Sequence, residues 1–150
     1  MAISQAMATS FKVEILNGIH AFGTTVVRAS TTADTFKIAL YTSSATLDST
    51  TTAYTTSNEV PSTGGYSAGG NTLTVSQTPT STSTTAWLDF ADSTWSAATI
   101  TANGALIYNS SQSNKAVAVL AFGGDKTSTA GDFTIVFPAA NSTSAIIRIA

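Results

Sequence analysis

The chain has 150 residues, room for one domain and little for two. Only 9% of them are charged, about a third of the usual share, and hydroxyls stand in their place as 28 Thr and 20 Ser. A net charge of −2 argues against nucleic-acid binding, zero Cys excludes a disulfide framework, a thiolate nucleophile and a Cys-ligated metal, and one His argues against an ordinary zinc or iron site.

The first residues, 1–14, lack a basic stretch followed by a continuous apolar run, so a soluble protein that stays inside the cell is expected. No run approaches the roughly 20 apolar residues of a membrane helix. Ile3, Met7, Phe11, Ile15 and Ile19 recur every four residues, with Leu16 beside them. This spacing predicts an amphipathic helix in an N-terminal arm spanning 1–23, ended near Gly18 and Gly23. Thr9 and Ser10 would start a shorter helix if residues 1–8 are extended. A helix of this length is marginal alone, so its stripe must dock on the chain's own sheet or on a neighbouring subunit.

From residue 24 to 150 the period is two, and one β domain is expected. Residues 24–30 form a short strand candidate. In 35–42, Phe36, Ile38 and Leu40 alternate with Lys37, Ala39 and Tyr41 as in a half-buried strand. Residues 43–58 read as a loop, residues 61–65 and 69–71 as turns, 72–77 as a short strand, and the Thr/Ser run around Pro79 (78–85) as a loop. Strands follow at 86–90, 97–102 and 105–109, with Asn103 and Gly104 bending or bulging the chain between the last two. The apolar run 116–122 belongs in the middle of a sheet. Gly123, Gly124 and Asp125 predict a turn, Phe133, Ile135 and Phe137 alternate up to Pro138, and 145–149 is a last strand. About eight short strands without a βαβ rhythm predict a single antiparallel β-sandwich or jelly-roll-like domain with the N-terminal helix attached.

Each chemical motif has a plainer explanation. Gly65-Tyr66-Ser67-Ala68-Gly69 matches the nucleophile elbow of esterases, but glycines follow where a helix should start, and the sole His, His20, lies upstream. His20 suits a helix end. Asp89 and Asp92, close to Trp87 and Trp95, could be a glycosidase pair, although Asp92 also suits a turn. Asp89, Asp92, Asp125 and Asp132 lack the spacing of a calcium loop. Tyr41, Tyr54, Tyr66 and Tyr108 could line a contact surface, as could Trp95. No catalytic, cofactor-binding or metal-binding residue is assigned.

Four stretches carry a family likeness. They are 10–12 through 18–20, 36–42, Asn58-Glu59-Val60 leading to Gly64-Gly65-Tyr66 and Gly69-Gly70, and 104–109 followed by 122–126. Their order and spacing resemble a group of small virion structural proteins of tailed bacteriophages, some with capsid-decoration (cement) roles. The segment 24–33 is longer than the group's usual link. The resemblance implies a non-enzymatic virion protein without cofactors, made in the host cytoplasm. It would bind across subunits of the major capsid protein and associate with copies of itself, with a homotrimer as first choice. Contact with nucleic acid or membrane is not expected. Interface candidates are Ile3, Met7, Phe11, Ile15, Ile19, Tyr54, Tyr66 and Trp95, with loops 43–58 and 76–85 beside them. A tail, baseplate or fibre component is the alternative, and a carbohydrate-binding module using Trp87, Trp95 and Tyr66 a further one.

Overall fold

The computed structural model describes residues 3–8, 10–11, 15, 18–24, 32–83 and 85–149. The protein is mainly β. Among the described residues eight strands run in order: β1 (Ala6–Met7), β2 (Phe36–Tyr41), β3 (Asn71–Thr72), β4 (Val75–Thr82), β5 (Thr85–Phe90), β6 (Ser93–Asn109), β7 (Lys115–Ile135) and β8 (Ile147–Ile149). They make two antiparallel sheets, β1-β7-β6-β2-β3 and β4-β5-β8. Phe36, Ile38 and Leu106 of the first sheet share one core with Leu88, Phe90 and Ile147 of the second, an arrangement that fits a sandwich.

The long β6–β7 hairpin organises the molecule. Its turn needs left-handed backbone at Ser113 (φ 52) and Asn114 (φ 57), a conformation asparagine tolerates well. Near the turn both strands are buried and β2 adds to the outer side of β6, from Phe36 opposite Asn109 to Tyr41 opposite Gly104. Farther out the hairpin continues as a ribbon whose inner face buries Trp95, Ala98, Ile100, Ser128 and Phe133. Bulges interrupt it. Opposite Asn103, residues 122–125 loop out of register, and Asn103 Nδ2 donates to Asp125 Oδ1 at 2.8 Å. Of the bend or bulge expected at Asn103 and Gly104 the structure has the bulge, while the turn expected at 123–125 lies inside β7. Two further bulges hold alanines in left-handed conformation, Ala97 (φ 51) and Ala130 (φ 48). Side chains across the ribbon cap them: Ala97 N–H donates to Asp132 Oδ1 (3.2 Å) and Ala130 N–H to Thr99 Oγ1 (3.0 Å).

The N-terminal expectation needs correcting. Ile3 bridges Leu47, and Ala6 and Met7 pair with Val119 and Ala118, so residues 3–8 are extended. Ile3 packs above Gly104, where a Cβ would come within 2.8 Å of its side chain. Ser10, Phe11 and Ile15 have helical backbone, but 12–14 and 16–17 lie outside the described residues and no helix is an element of the described structure. The strand expected at 24–30 also falls outside them, apart from Thr24. The loop expected at 78–85 is instead the end of β4 and the start of β5, turning at Ser83 (φ 55). Pro79 is tolerated because β4 is a sheet edge and its register shifts between Gln77 and Thr80.

Asp89 sits in β5 at 1% exposure. Its Oδ1 accepts from Phe90 N–H at 2.8 Å, while Oδ2 has no partner. Burial pushes its carboxyl above the usual range, partly offset by the backbone N–H groups of Phe90 and Ile146. A carboxyl raised on folding stabilises most in acid, and that contribution is lost as pH rises through the folded value. Asp89→Asn is expected to be about 1 kcal/mol more stable than the parent at neutral pH, with a flatter pH dependence on the acid side in urea titrations. A less stable variant at neutral pH would contradict this account.

Candidate interaction surface

Three of the expected interface residues are consumed by the protein's own core. Phe11 (0% exposed) meets the ring of His20 edge-on at 4.8 Å and that of Phe22 at 6.0 Å. Phe22 in turn stacks on Phe36 at 4.2 Å, and Phe36 contacts Phe90. Tyr66 (3%) and Trp95 (5%) pack on each other at 6.0 Å, and Trp95 meets Phe133. These rings present almost no area to a partner, protein or sugar. Ile3, Met7, Ile15 and Ile19 are half-buried, and Ile3, Met7 and Ile15 pack against the core.

The four tyrosines do converge, but inside the molecule and around Glu59. Tyr54 donates to Glu59 Oε2 at 2.7 Å, and Tyr66 to Oε1 at 2.6 Å. Gly69 N–H donates to the same Oε1 at 2.7 Å. Tyr66 Oη also accepts from Leu40 N–H (3.0 Å), Tyr108 donates to Gly69 O (2.9 Å) while stacking on Tyr54 at 4.7 Å, and Tyr41 donates to Thr55 O (2.6 Å). Burial, reinforced by the Glu59 charge, raises all four phenols, Tyr108 to about 12. They stay protonated at neutral pH and keep donating. The network ties the irregular segment 53–70 onto β2 and β6. It is a structural clamp in which two phenols and one backbone N–H hold the carboxylate.

The remaining chemical candidates do not assemble. Ser67 is exposed in a turn, and a strand rather than a helix follows it. Asp92 Oδ1 accepts from Phe137 N–H at 2.9 Å, Asp125 and Asp132 serve the ribbon, and Trp87 Nε1 donates to Thr82 Oγ1 at 3.4 Å. Among the described residues no three His, Asp or Glu gather where they could hold a metal ion, and no helix is long and apolar enough to cross a membrane.

What the surface does offer lies along the ribbon. Its outer face is a hydroxyl array in which Thr94 and Thr134 meet at 2.9 Å and Thr101 and Thr127 at 3.1 Å. The outer edge of β7 pairs with β1 only at Ala118 and Val119, so the strand beyond presents unpaired edge among the described residues. Beside that edge runs an open groove of about 570 Å³ whose lining mixes Phe122, Phe133, Phe137 and Ile146 with Lys126 and Asp132. Val136, also at the groove, is 73% exposed. Sequence reasoning missed this surface. Alternation in 133–137 places Phe133 and Phe137 inward and Val136 outward, but nothing local shows that β7 lacks a neighbour there.

No protein-family model, no curated protein and no solved structure matches this chain.

Proposed function

We propose that this protein is a non-enzymatic virion structural protein that decorates and stabilises a phage capsid by adhering across neighbouring subunits of the major capsid protein. The observation that carries the reading is the β7 edge that no described strand pairs with beyond Val119, beside a groove of mixed apolar and polar lining, next to a Thr-coated face with little charge. Unpaired strand edges accept further strands, and the grooves beside them accept side chains. Weak charge limits repulsion between crowded copies, and many modest contacts repeated over a lattice add through multivalency. Copies would group around a local symmetry axis, with a trimer as the first expectation.

A cryo-EM map of the particle encoded with this chain is the test. Density is expected over the capsid shell in hundreds of copies, as a repeating lattice requires. Thr134→Asp places charge on the ribbon's exposed face while Thr94 Oγ1 can still donate to it, and should leave the melting temperature within a few degrees while reducing capsid occupancy at least about tenfold. Density confined to the tail would overturn decoration in favour of a tail or fibre role.

A further inference from the structure

The widest bulge in β7 lies at the surface and aims one side chain. Ala121 pairs with Gly104 and Lys126 with Ala102, so 122–125 stand opposite Asn103 alone. Gly123 (φ +71) and Gly124 (φ +141) supply the backbone, and an added Cβ on either would meet nothing within 4 Å. Packing therefore does not call for these glycines. Bulges re-aim side chains, and the one re-aimed here is Asp125. Asn103 Nδ2 holds its Oδ1 at 2.8 Å, and no described residue bonds to Oδ2. The carboxylate stands in the wall of a pocket of about 250 Å³ on the ribbon's outer face. Five hydroxyl side chains line that pocket, among them Thr63, Thr99 and Thr101, and Val60 and Pro61 form its apolar part. The walls are fixed before any ligand arrives. Thr99 N–H donates to Gly64 O at 2.7 Å, and a Cβ at Gly64 would come within 2.6 Å of Thr99 O, so that turn is seated directly on β6. Thr99 Oγ1 accepts from Ala130 N–H at 3.0 Å, and Thr42 donates to Asn58 O from both its N (3.0 Å) and its Oγ1 (3.1 Å).

We propose that this pocket receives the ammonium group of a lysine side chain carried by a partner protein. Among the described residues its lining holds one carboxylate and no Lys, Arg or His. Lys126, next to Asp125, lines the groove instead. An ammonium brings three donors and no acceptor, and Asp125 Oδ2 with two hydroxyl oxygens can take all three. Thr99 Oγ1 keeps a second lone pair after accepting from Ala130. Val60 and Pro61 suit the methylene stem that a lysine lays along apolar surface. A guanidinium fork is served best by both oxygens of a carboxylate, and here Oδ1 is engaged by Asn103. A divalent metal ion takes several carboxylates, and among the described residues no three His, Asp or Glu gather for one. The pocket's ligand does not depend on the virion reading and is tested on the protein by itself.

Titration of the full chain with N-acetyl-lysine methylamide, at neutral pH and fixed ionic strength, decides it. The amide ¹H–¹⁵N shifts of Thr63, Thr99, Thr101 and Asp125 should move together and saturate with a Kd of about 1–10 mM. The Nε-acetylated probe, which has lost its charge, should leave them unmoved. The arginine counterpart should bind at least about threefold more weakly. Asp125→Asn keeps an oxygen for Asn103 but turns an NH₂ group to the pocket, and should raise the Kd at least about tenfold. Asp125 is exposed, so the variant should melt within a few degrees of the parent. Equal shifts around Asp132, the ribbon's other exposed carboxylate, would show unselective pairing and overturn the proposal. Failure to saturate by about 50 mM would overturn it too, as would arginine binding as tightly as lysine or Asp125→Asn binding as well as the parent.

Discussion

Glu59→Ala is expected to destabilise the protein by about 3–5 kcal/mol, because truncation strands donors that are already desolvated. Glu59 is 9% exposed and accepts from two phenols and one backbone N–H at 2.6–2.7 Å. Alanine leaves the hydroxyls of Tyr54 and Tyr66 and the N–H of Gly69 without an acceptor. Tyr66 is the costliest of these, since its oxygen also anchors Leu40 N–H in the centre of β2. Glu59→Gln keeps one acceptor oxygen and should cost about 1–2 kcal/mol. Urea unfolding at neutral pH measures both. A Glu59→Ala cost below about 1 kcal/mol would show that the clamp does not hold segment 53–70.

Gly70→Ala should be at least as damaging, about 3 kcal/mol or more, for a steric reason. A Cβ at Gly70 would lie 1.8 Å from the carbonyl oxygen of Ile38 and 2.9 Å from Ala39 Cα, both backbone atoms of β2. Its φ of +65° adds strain for any L side chain. The two cannot be relieved together without lifting the turn off the sheet, which would also withdraw Gly69 from Glu59. Gly123→Ala is the matched control. That residue has φ +71° with nothing within 4 Å of a new Cβ, so only backbone strain of about 1 kcal/mol remains. Equal melting temperatures for the two variants would remove the close approach from the explanation.

Strands with strict alternation are readable in the chain itself. The span 35–42 contains Phe36–Tyr41, but Ala39 and Tyr41 are buried along with Phe36, Ile38 and Leu40, so β2 is covered on both faces instead of half-buried; Phe133 and Phe137 face inward as their spacing requires. The N-terminal stripe misleads because a step of four residues is two strand periods as well as roughly one helical turn. Ile3 and Met7 satisfy both templates, and pairing with Leu47 and β7 decides for the extended form. The stretch 78–85 looks like a loop by composition, yet threonine is a good strand former and an edge accommodates Pro79. Gly123 and Gly124 look like a turn because a bulge and a turn need the same backbone freedom. The tyrosine clamp is hidden because its members are spread from Tyr41 to Tyr108. One local signal was present: between Asp48 and Asp89, Glu59 is the only charged side chain, and a lone carboxylate in so neutral a stretch invites a search for its donors.

The strand order β1-β7-β6-β2-β3 also has a consequence for biosynthesis. The central pair is made late. Phe36–Tyr41 leaves the ribosome with only Glu59 and Asn71–Thr72 to pair with until residues 104–109 follow, and Ala6–Met7 waits for Ala118 and Val119. At about 5–20 residues per second, the nascent N-terminal part waits roughly 5–20 s before its sheet can close. The segment 42–58, made between these strands, is rich in Thr and Ser and low in charge and large apolar side chains, which makes it a poor nucleus for premature association during that wait.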